Sequence, residues 1–378
     1  MSVTKCFFII AACTFLFIEG CSDQESFIQP VNPNATPEAK ALLTFLYKIQ
    51  GKHTLSGQHN FINTGSKYVD EVHRITGKYP VLWGSDFSFC VEGENFRRFQ
   101  HCGPANLSDP ADSAYILDIT LDQARQMMID EAIAKYKAGH IITLMWHGCY
   151  PTDGDCCEGK SIWAMENRPT PEIWNELITP GTDLNDQWKK QVDDIASYLK
   201  ILQEESIPVL WRPYHEMNGV WFWWCNQKGE NGFPKLWQMM YRYLTDHHQL
   251  NNLIWVWNTN APRDIPGDEA FDYELFWPGS DYVDVLAADV YRSDYKQSHH
   301  DDLIQLAEMK PICLGEVGGL PTPEILNEQP NWTWFMSWGN LLIRSNPEEA
   351  IINLYEAPQV LTLDEVERDQ TGNYTVEE

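Results

Sequence analysis

The stretch Leu210-Trp-Arg-Pro-Tyr-His-Glu-Met-Asn-Gly-Val-Trp-Phe-Trp-Trp224 is the most informative part of the chain. It continues an apolar run that begins at Ile207 and is typical of a buried β-strand. A polar cluster that ends in Glu216 follows the run directly, and aromatic residues then occupy positions 221–224. A carboxyl group at a strand end can protonate a glycosidic oxygen, and flat rings beside it suit the faces of sugars.

Apolar β-type runs of this kind recur along the chain and alternate with helix-like segments. The predicted strands are 53–58, 81–85, 141–146, 208–212, 253–258, 283–288, 312–315 and 332–338. Thr120 and Gln123 form a capping box before one amphipathic segment, Leu121–Lys137. A β-α unit repeated in this way predicts an α/β fold, the (β/α)8 TIM barrel. An open doubly wound sheet is the alternative, but no glycine-rich phosphate loop supports it.

Two carboxyl groups follow strands that lie far apart in the predicted order. Glu216 follows the fourth strand and Glu316 the seventh, so they face each other across the mouth of a barrel, where the sites of this fold lie. Retaining glycoside hydrolysis uses two carboxyls roughly 5–5.5 Å apart, one as acid/base and one as nucleophile. The alternative, a structural ion pair for each residue, explains less well why Arg212, His215 and Glu216 share one strand end.

Composition narrows the class of ligand. The 378 residues contain 54 Asp and Glu against 27 Lys and Arg, for a formal charge of −27, and this balance disfavours nucleic acid and anionic lipid surfaces. A neutral polysaccharide fits better. We expect no cofactor and no metal, because the pairs His247-His248 and His299-His300 have no third ligand in register and are expected to be solvated.

The first residues resemble a targeting segment. Residues 1–20 are expected to be a lipoprotein signal peptide and Cys21 the lipidated residue, with an ordinary secretory signal as the alternative. Residues 21–37 are predicted to be a flexible, proline-rich spacer, and 38–378 a single catalytic barrel domain with a short acidic tail. The expected location is the outer membrane, on its surface or its periplasmic face, as a monomer.

Cysteine usage adds an expectation of disulfides in an oxidising compartment. Cys313 lies in an apolar strand pattern and is predicted to be a buried thiol. The pairing is left open among six others, with Cys90–Cys102 favoured by proximity: Cys90, Cys102, Cys149, Cys156, Cys157 and Cys225.

The motifs at the predicted strand ends resemble those of glycoside hydrolase family 26, the β-mannanase family, over nearly the whole chain after the targeting segment. The matching segments are Ser56-Gly-Gln-His59, Trp146-His147, Arg212-Pro-Tyr-His-Glu-Met-Asn-Gly219 with Trp221, Asp289-Val-Tyr291 and Gly315-Glu316. The resemblance implies a retaining endo-β-1,4-mannanase with Glu216 as acid/base and Glu316 as nucleophile.

The same resemblance implies roles for the residues around the carboxyl groups. His215 would hydrogen-bond within the carboxylate site, and Tyr291 would orient the nucleophile. His147 and Trp338 would contact the sugar at the cleavage point, and Trp221 would stack on it or on its neighbour. Arg212 belongs to the same substrate-binding set.

Part of the sequence departs from the family pattern. After His147 the chain has Gly148-Cys149-Tyr150-Pro151 and then an acidic loop, 153–158, where the family often has an Asn-Pro-type loop. Internal cleavage and release of short products such as mannobiose from chain ends therefore both remain open. The alternative substrates are mixed-linkage β-glucan and β-1,3-xylan, and the alternative class is a non-catalytic glycan-binding lipoprotein.

Overall fold

Parallel strands close into a barrel in the computed structural model, which describes residues 28–62, 64–87, 120–154, 157 and 161–377. The barrel strands are β1 Thr54–His59, β2 Leu82–Asp86, β3 Ile141–Trp146, β4 Val209–Pro213, β5 Leu253–Asn260, β6 Val285–Val290, β7 Ile312–Val317 and β8 Trp332–Ser337. Each strand pairs with its neighbour in chain order, and β1 pairs with both β2 and β8. The predicted (β/α)8 TIM barrel is confirmed, and every predicted strand overlaps an observed one.

Helices connect the strands on the outside of the barrel. The longer ones are α1 Pro37–Ile49, α2 Lys67–Thr76, α3 Leu121–Lys137, α5 Pro171–Leu177, α6 Asp183–Glu204, α7 Phe233–Arg242, α8 Gln297–Ala307 and α11 Glu348–Tyr355. Shorter ones are α4 Ala164–Asn167, α9 Pro323–Glu328 and α10 Leu341–Arg344. None of the helices in the described part of the chain has the length and apolar character needed to cross a membrane.

The strands are continuous apolar runs because both of their faces are buried. Every residue of β5 is buried, for example, with Trp255 and Trp257 facing the packed helices. Helix starts follow their sequence signals as well: Thr120 and Gln123 form the predicted capping box at the start of α3. The strands therefore deliver their last residues to one rim, where the site lies.

The opposite end of the barrel is closed by the first described residues and by the acidic tail. Residues 28–36 lie against the barrel: the Val31 amide donates to Asp284 Oδ1 at 2.7 Å, and Asn32 is buried. The prediction of a flexible spacer is therefore wrong for these residues, while residues 21–27 lie outside the described chain. The acidic tail also docks, because strands Val366–Arg368 and Tyr374–Val376 form a hairpin whose Tyr374 stacks on Phe45 of α1.

Candidate active site

Glu216 lies just beyond β4, on a turn with an unusual backbone. Its φ is +54° and that of Tyr214 is +48°, in the left-handed region that costs non-glycine residues on the order of 1–3 kcal/mol each. Main-chain contacts hold this turn: the Glu216 amide donates to the Asn258 carbonyl at 2.7 Å, and the Cys225 thiol donates to the Glu216 carbonyl at 3.1 Å. Strain of this kind is typical of functional sites.

The Glu216 carboxyl group accepts hydrogen bonds from two uncharged donors. Trp221 Nε1 donates to Oε2 at 2.6 Å, and the Asn260 side-chain amide donates to Oε1. Gly219 makes room for this arrangement, because a Cβ there would lie 2.4 Å from the Trp221 ring. Both carboxyl oxygens are thereby fixed at the barrel mouth.

Glu316 lies within β7 and is aimed by a local irregularity. Ala288 of β6 pairs with Leu314 and Asp289 with Glu316, so Gly315 is an extra residue in β7, a β-bulge. A Cβ at Gly315 would lie 2.1 Å from the Asn258 side-chain oxygen, and only glycine fits. The bulge thus sets the direction of the Glu316 side chain.

Tyr291 and Arg212 contact the Glu316 carboxyl group. The Tyr291 hydroxyl donates to Oε2 at 2.6 Å, and Arg212 Nη1 lies 3.7 Å from Oε1. Arg212 is itself held by the Asn258 side-chain oxygen at 2.6 Å. Within the described chain Oε1 of Glu316 accepts no hydrogen bond, although it is buried.

His215 lies between the two carboxyl groups. Its Nε2 is 4.0 Å from Glu216 Oε2 and 3.6 Å from Glu316 Oε1, so one side chain brings both carboxyls into the same small space. Burial lowers the pKa of His215 well below its usual value, and the nearby His147 and Arg212 lower it further. The imidazole is therefore neutral at pH 7 and does not neutralise either carboxyl.

Burial raises the pKa of both carboxyl groups, because charge is disfavoured away from water. Arg212 and the Tyr291 hydroxyl counter this effect at Glu316, while the negative charge of Glu216 would raise the pKa of Glu316 further. Two interacting carboxyls titrate as a pair. The facing guanidinium of Arg212 favours the charged form of Glu316.

A third carboxyl group, Asp289, lies beside this pair and is fully buried. Burial raises the pKa of Asp289 well above its usual value, and the charges of Glu316 and Glu216 raise it further. A protonated Asp289 adds no further negative charge to the site.

Trp338 and His147 form another wall of the site. Trp338 follows β8 and stacks on His59 at a centroid distance of 3.9 Å. Asp86, at the end of β2, accepts hydrogen bonds from the His147 main-chain amide at 3.2 Å and contacts Nδ1 at 3.0 Å. The His147 ring lies 4.4 Å from that of His215, so the predicted site residues lie around one opening.

The aromatic run after Glu216 divides into packing and exposed members. Trp223 and Trp224 are fully buried and pack in the core. Phe222 stacks between Trp224 and Trp163, at 4.5 and 5.5 Å. Trp163 is 47% exposed at the barrel mouth, and the sequence analysis did not identify it. The sequence does not reveal this exposure. In the structure the exposed ring marks Trp163 as a candidate contact, because an exposed apolar surface often serves binding.

The structure also resolves part of the cysteine question. Cys149 and Cys157 form a disulfide in the loop that departs from the family pattern, whereas Cys225 and Cys313 are buried free thiols. The predicted thiol of Cys313 is confirmed, and the inclusion of Cys225 among disulfide candidates is wrong. The others lie outside the described residues: Cys90, Cys102 and Cys156.

The histidine pairs agree with their prediction only in part: His247 is exposed and His248 partly exposed, as predicted for solvated residues. His299 and His300 are buried rather than solvated, at the start of α8. His247 and His248 do have a third possible ligand nearby, because Asp193 of α6 lies 2.8 Å from His248 Nε2. The same Asp193 oxygen accepts the Tyr243 hydroxyl at 2.8 Å, which satisfies it as a hydrogen-bond cluster.

Two carboxyl groups that face each other at the mouth of a (β/α)8 barrel, one of them beside an arginine, are the pair that glycoside hydrolysis requires. The model of glycosyl hydrolase family 26 matches residues 31–95 and 104–365. The chain belongs to this family.

Relatives with known names support the same assignment. A mannan endo-1,4-β-mannosidase of Thermothelomyces thermophilus is 30% identical over 89% of this chain and 63% of its own length. One from Bacillus subtilis is 27% identical over 83% of each chain. The structure of GH26A from a Muricauda species is 43% identical, with a TM-score of 0.78 over 89% of this chain and 99% of its own. The chain spans 48–63% of the length of the first three curated relatives that it matches.

Proposed function

We propose that the protein is a retaining endo-β-1,4-mannanase that cleaves mannan, galactomannan or glucomannan without a cofactor. The observation that carries the proposal is the placement of Glu216 and Glu316 within 4.0 Å of the same His215 nitrogen, with different partners around each. The names of the relatives support mannan as the substrate. The Bacillus subtilis relative matches this chain over 83% of its own length, so most of that protein corresponds to the barrel described above.

The two carboxyl groups divide the reaction between them. Glu316 Oε1 attacks the anomeric carbon while Glu216 gives its proton to the departing glycosidic oxygen, and a covalent glycosyl-enzyme forms. Forming that bond removes the negative charge of Glu316, so the pKa of Glu216 falls. Glu216 then takes a proton from water, which attacks the same carbon and releases the sugar with its configuration retained.

The neighbouring side chains serve the charge changes of these steps. Tyr291 and Arg212 stabilise Glu316 as an anion before attack and as the leaving group afterwards. Trp221 and Asn260 keep Glu216 aimed at the glycosidic oxygen without adding a full charge that would strip its proton. His147, Trp338 and the stack of His59 line the side on which the sugar that becomes attached to Glu316 would lie.

Product analysis over time tests the proposal. The purified barrel would be mixed with linear mannan, galactomannan, mixed-linkage β-glucan and β-1,3-xylan in parallel. Early manno-oligosaccharides of mixed length support an endo-mannanase, whereas mannobiose alone from the start means an end-directed enzyme. Products only from glucan or xylan would keep the mechanism and replace the substrate. No products from any polymer would favour the non-catalytic glycan-binding alternative.

We also propose that Cys21 is lipidated after removal of residues 1–20 and that the protein is anchored to the outer membrane. The support is the sequence alone, an apolar run followed by Gly20-Cys21. Cys21→Ala should release the protein from the membrane fraction and abolish labelling with radioactive palmitate. Unchanged labelling in that variant would contradict the assignment of Cys21.

A further inference from the structure

A pocket of about 310 Å³ opens between the loops that follow β5 and β6. Its lining includes Arg263, Ile265, Tyr291 and Arg292. Since the Tyr291 hydroxyl donates to the Glu316 carboxyl group, this residue joins the pocket to the carboxyl pair. Its volume is at the lower end of the range of small-ligand sites, roughly 300–1,000 Å³, and is sufficient for a single ring.

One carboxylate holds both arginines of this pocket. Arg263 contacts Asp268 through Nη2 at 2.7 Å and Nε at 3.1 Å, and Arg292 Nη2 lies 2.6 Å from the same carboxyl group. The loop that contains Asp268 is closed by two main-chain hydrogen bonds between Arg263 and Ala270, both at 2.9 Å. Asp294, also at the pocket, pairs with Lys296 at 2.7 Å. Two guanidinium groups against Asp268 therefore leave positive charge and unused N–H donors in a chain of formal charge −27.

The position of Arg263 assigns the pocket to the leaving-group side of the scissile bond. Arg263 donates to the Asn260 side-chain oxygen, and Asn260 donates to Glu216. The same guanidinium lies over the Trp221 ring at 4.9 Å, and the Trp221 indole donates to Glu216. Because Glu216 protonates the departing oxygen, the sugar that carries this oxygen lies next to Trp221 and Arg263. The face of Trp221 that Arg263 covers is not open for stacking.

The backbone around Arg292 is strained in a way that serves this contact. Arg292 and Ser293 have φ values of +59° and +55°, two consecutive non-glycine residues in the left-handed region. Gly319 accommodates them, because a Cβ there would lie 2.3 Å from the Ser293 hydroxyl. This turn brings Arg292 from the strand end onto Asp268 while leaving its side chain 59% exposed.

We propose that Arg263 and Arg292, joined by Asp268, form the subsite for the first sugar unit on the leaving-group side. Arg292 donates hydrogen bonds to the hydroxyl groups of that neutral sugar, and Arg263 supports it in place of a stacking face on Trp221. The inference rests on the proposed mannanase function and names residues that select how the chain sits across the bond to be cleaved.

The test compares substrates with and without a sugar in this pocket. Mannopentaose places sugars on both sides of the bond, whereas an aryl β-mannobioside has only a nitrophenol as leaving group. Arg292→Ala should lower kcat/KM on mannopentaose by about tenfold, as expected for a lost hydrogen bond from a charged donor. The loss on the aryl substrate should be clearly smaller. Cleavage in ¹⁸O-water, read by mass spectrometry, should show a changed choice of bond in mannopentaose.

Two further variants separate a subsite from a general effect. Arg292→Lys keeps the charge but loses the planar fork of donors, so its loss on mannopentaose should lie between wild type and Arg292→Ala. Arg74→Ala is the matched control, because Arg74 is similarly exposed at 55% and paired with Glu71, but on α2 outside the barrel. It should change neither kcat/KM nor bond choice.

Equal losses on both substrates, or an unchanged choice of bond in a variant that melts like wild type, would overturn the subsite assignment while leaving the mannanase function standing. If the wild-type protein cleaves neither the aryl mannobioside nor mannopentaose, the proposed function is overturned, and this inference with it. The two failures are therefore distinguishable.

Discussion

The two halves of the barrel mouth hold their carboxyl groups by different means. Glu316 lies in a strand, with the guanidinium of Arg212 and the Tyr291 hydroxyl beside it. Glu216 lies on a strained turn and accepts hydrogen bonds from the uncharged Trp221 and Asn260. In the proposed mechanism, the carboxyl group that attacks as an anion lies beside a cation, whereas the one that gives and takes a proton accepts hydrogen bonds from neutral donors.

The largest expected loss of activity comes from changing Glu316, the carboxyl group that lies in a strand. Glu316→Gln replaces the attacking carboxylate with a neutral amide and should lower kcat on mannan by on the order of 10⁴-fold or more, because the amide is a poor nucleophile. The thermal unfolding temperature should stay near that of wild type, since the amide keeps the size of the side chain. Substantial turnover in this variant would remove Glu316 from the nucleophile role.

Changing Glu216, the carboxyl group on the strained turn, should cause a loss of activity that depends on the leaving group. Glu216→Gln should lower kcat/KM on manno-oligosaccharides by about 10²–10⁴-fold, the usual contribution of a general acid. A nitrophenyl mannoside needs little protonation on departure, so its first step should survive better and its glycosyl-enzyme should accumulate as a burst of nitrophenol. Equal losses on both kinds of substrate would contradict the acid role.

Loss of the Tyr291 hydroxyl should have a smaller effect on the same chemistry. Tyr291→Phe removes the hydrogen bond to Glu316 Oε2, and hydrogen bonds to charged groups contribute about 1.5–3 kcal/mol, or roughly 10- to 100-fold in rate. The effect should fall on kcat more than on KM, because the bond matters when charge leaves and returns to Glu316. A change confined to KM would mean that Tyr291 only binds sugar.

The pH profile should respond to charge on the Glu216 half. Arg263 lowers the pKa of Glu216, so replacing it with glutamine should raise that pKa. Glu216 must be protonated for the first step, and kcat/KM falls as pH rises through its pKa. The alkaline limb of the profile should therefore move to higher pH in Arg263→Gln. A shift to lower pH would contradict the position of the proton on Glu216.

The smallest expected effect concerns the support of the strained turn. Burial raises the pKa of the Cys225 thiol, which therefore stays protonated and donates to the Glu216 carbonyl. Cys225→Ala should lower the free energy of unfolding in urea by about 1–3 kcal/mol, through the unpaired carbonyl and a small cavity. An unchanged midpoint would mean that the thiol does not hold the turn.

Much of the fold follows from the sequence because parallel barrel strands are buried on both faces. Their apolar runs are continuous and their last residues are polar, so the positions of Glu216, Glu316 and Tyr291 could be read from strand ends. The β-bulge that aims Glu316 left only an indirect signal, the glycine at position 315.

Other features depend on contacts that no local pattern encodes. The docking of residues 28–36 depends on a hydrogen bond from Val31 to the distant Asp284, which composition cannot reveal. The Cys149–Cys157 pairing depends on loop geometry rather than on spacing alone. The contacts of Asp268 with Arg263 and Arg292 join the loops after β5 and β6, so the sequence alone does not predict them.

Covalent trapping tests the central contrast between the two carboxyl groups most directly. A 2-deoxy-2-fluoro mannobiosyl fluoride should form a stable adduct with the wild-type protein, because the 2-fluorine slows both steps while the good fluoride leaving group speeds only the first. Mass spectrometry of the digested protein should find the sugar on Glu316 and leave Glu216 unmodified. An adduct on Glu216, or steady turnover of the compound with no adduct at all, would contradict the assignment of nucleophile and acid.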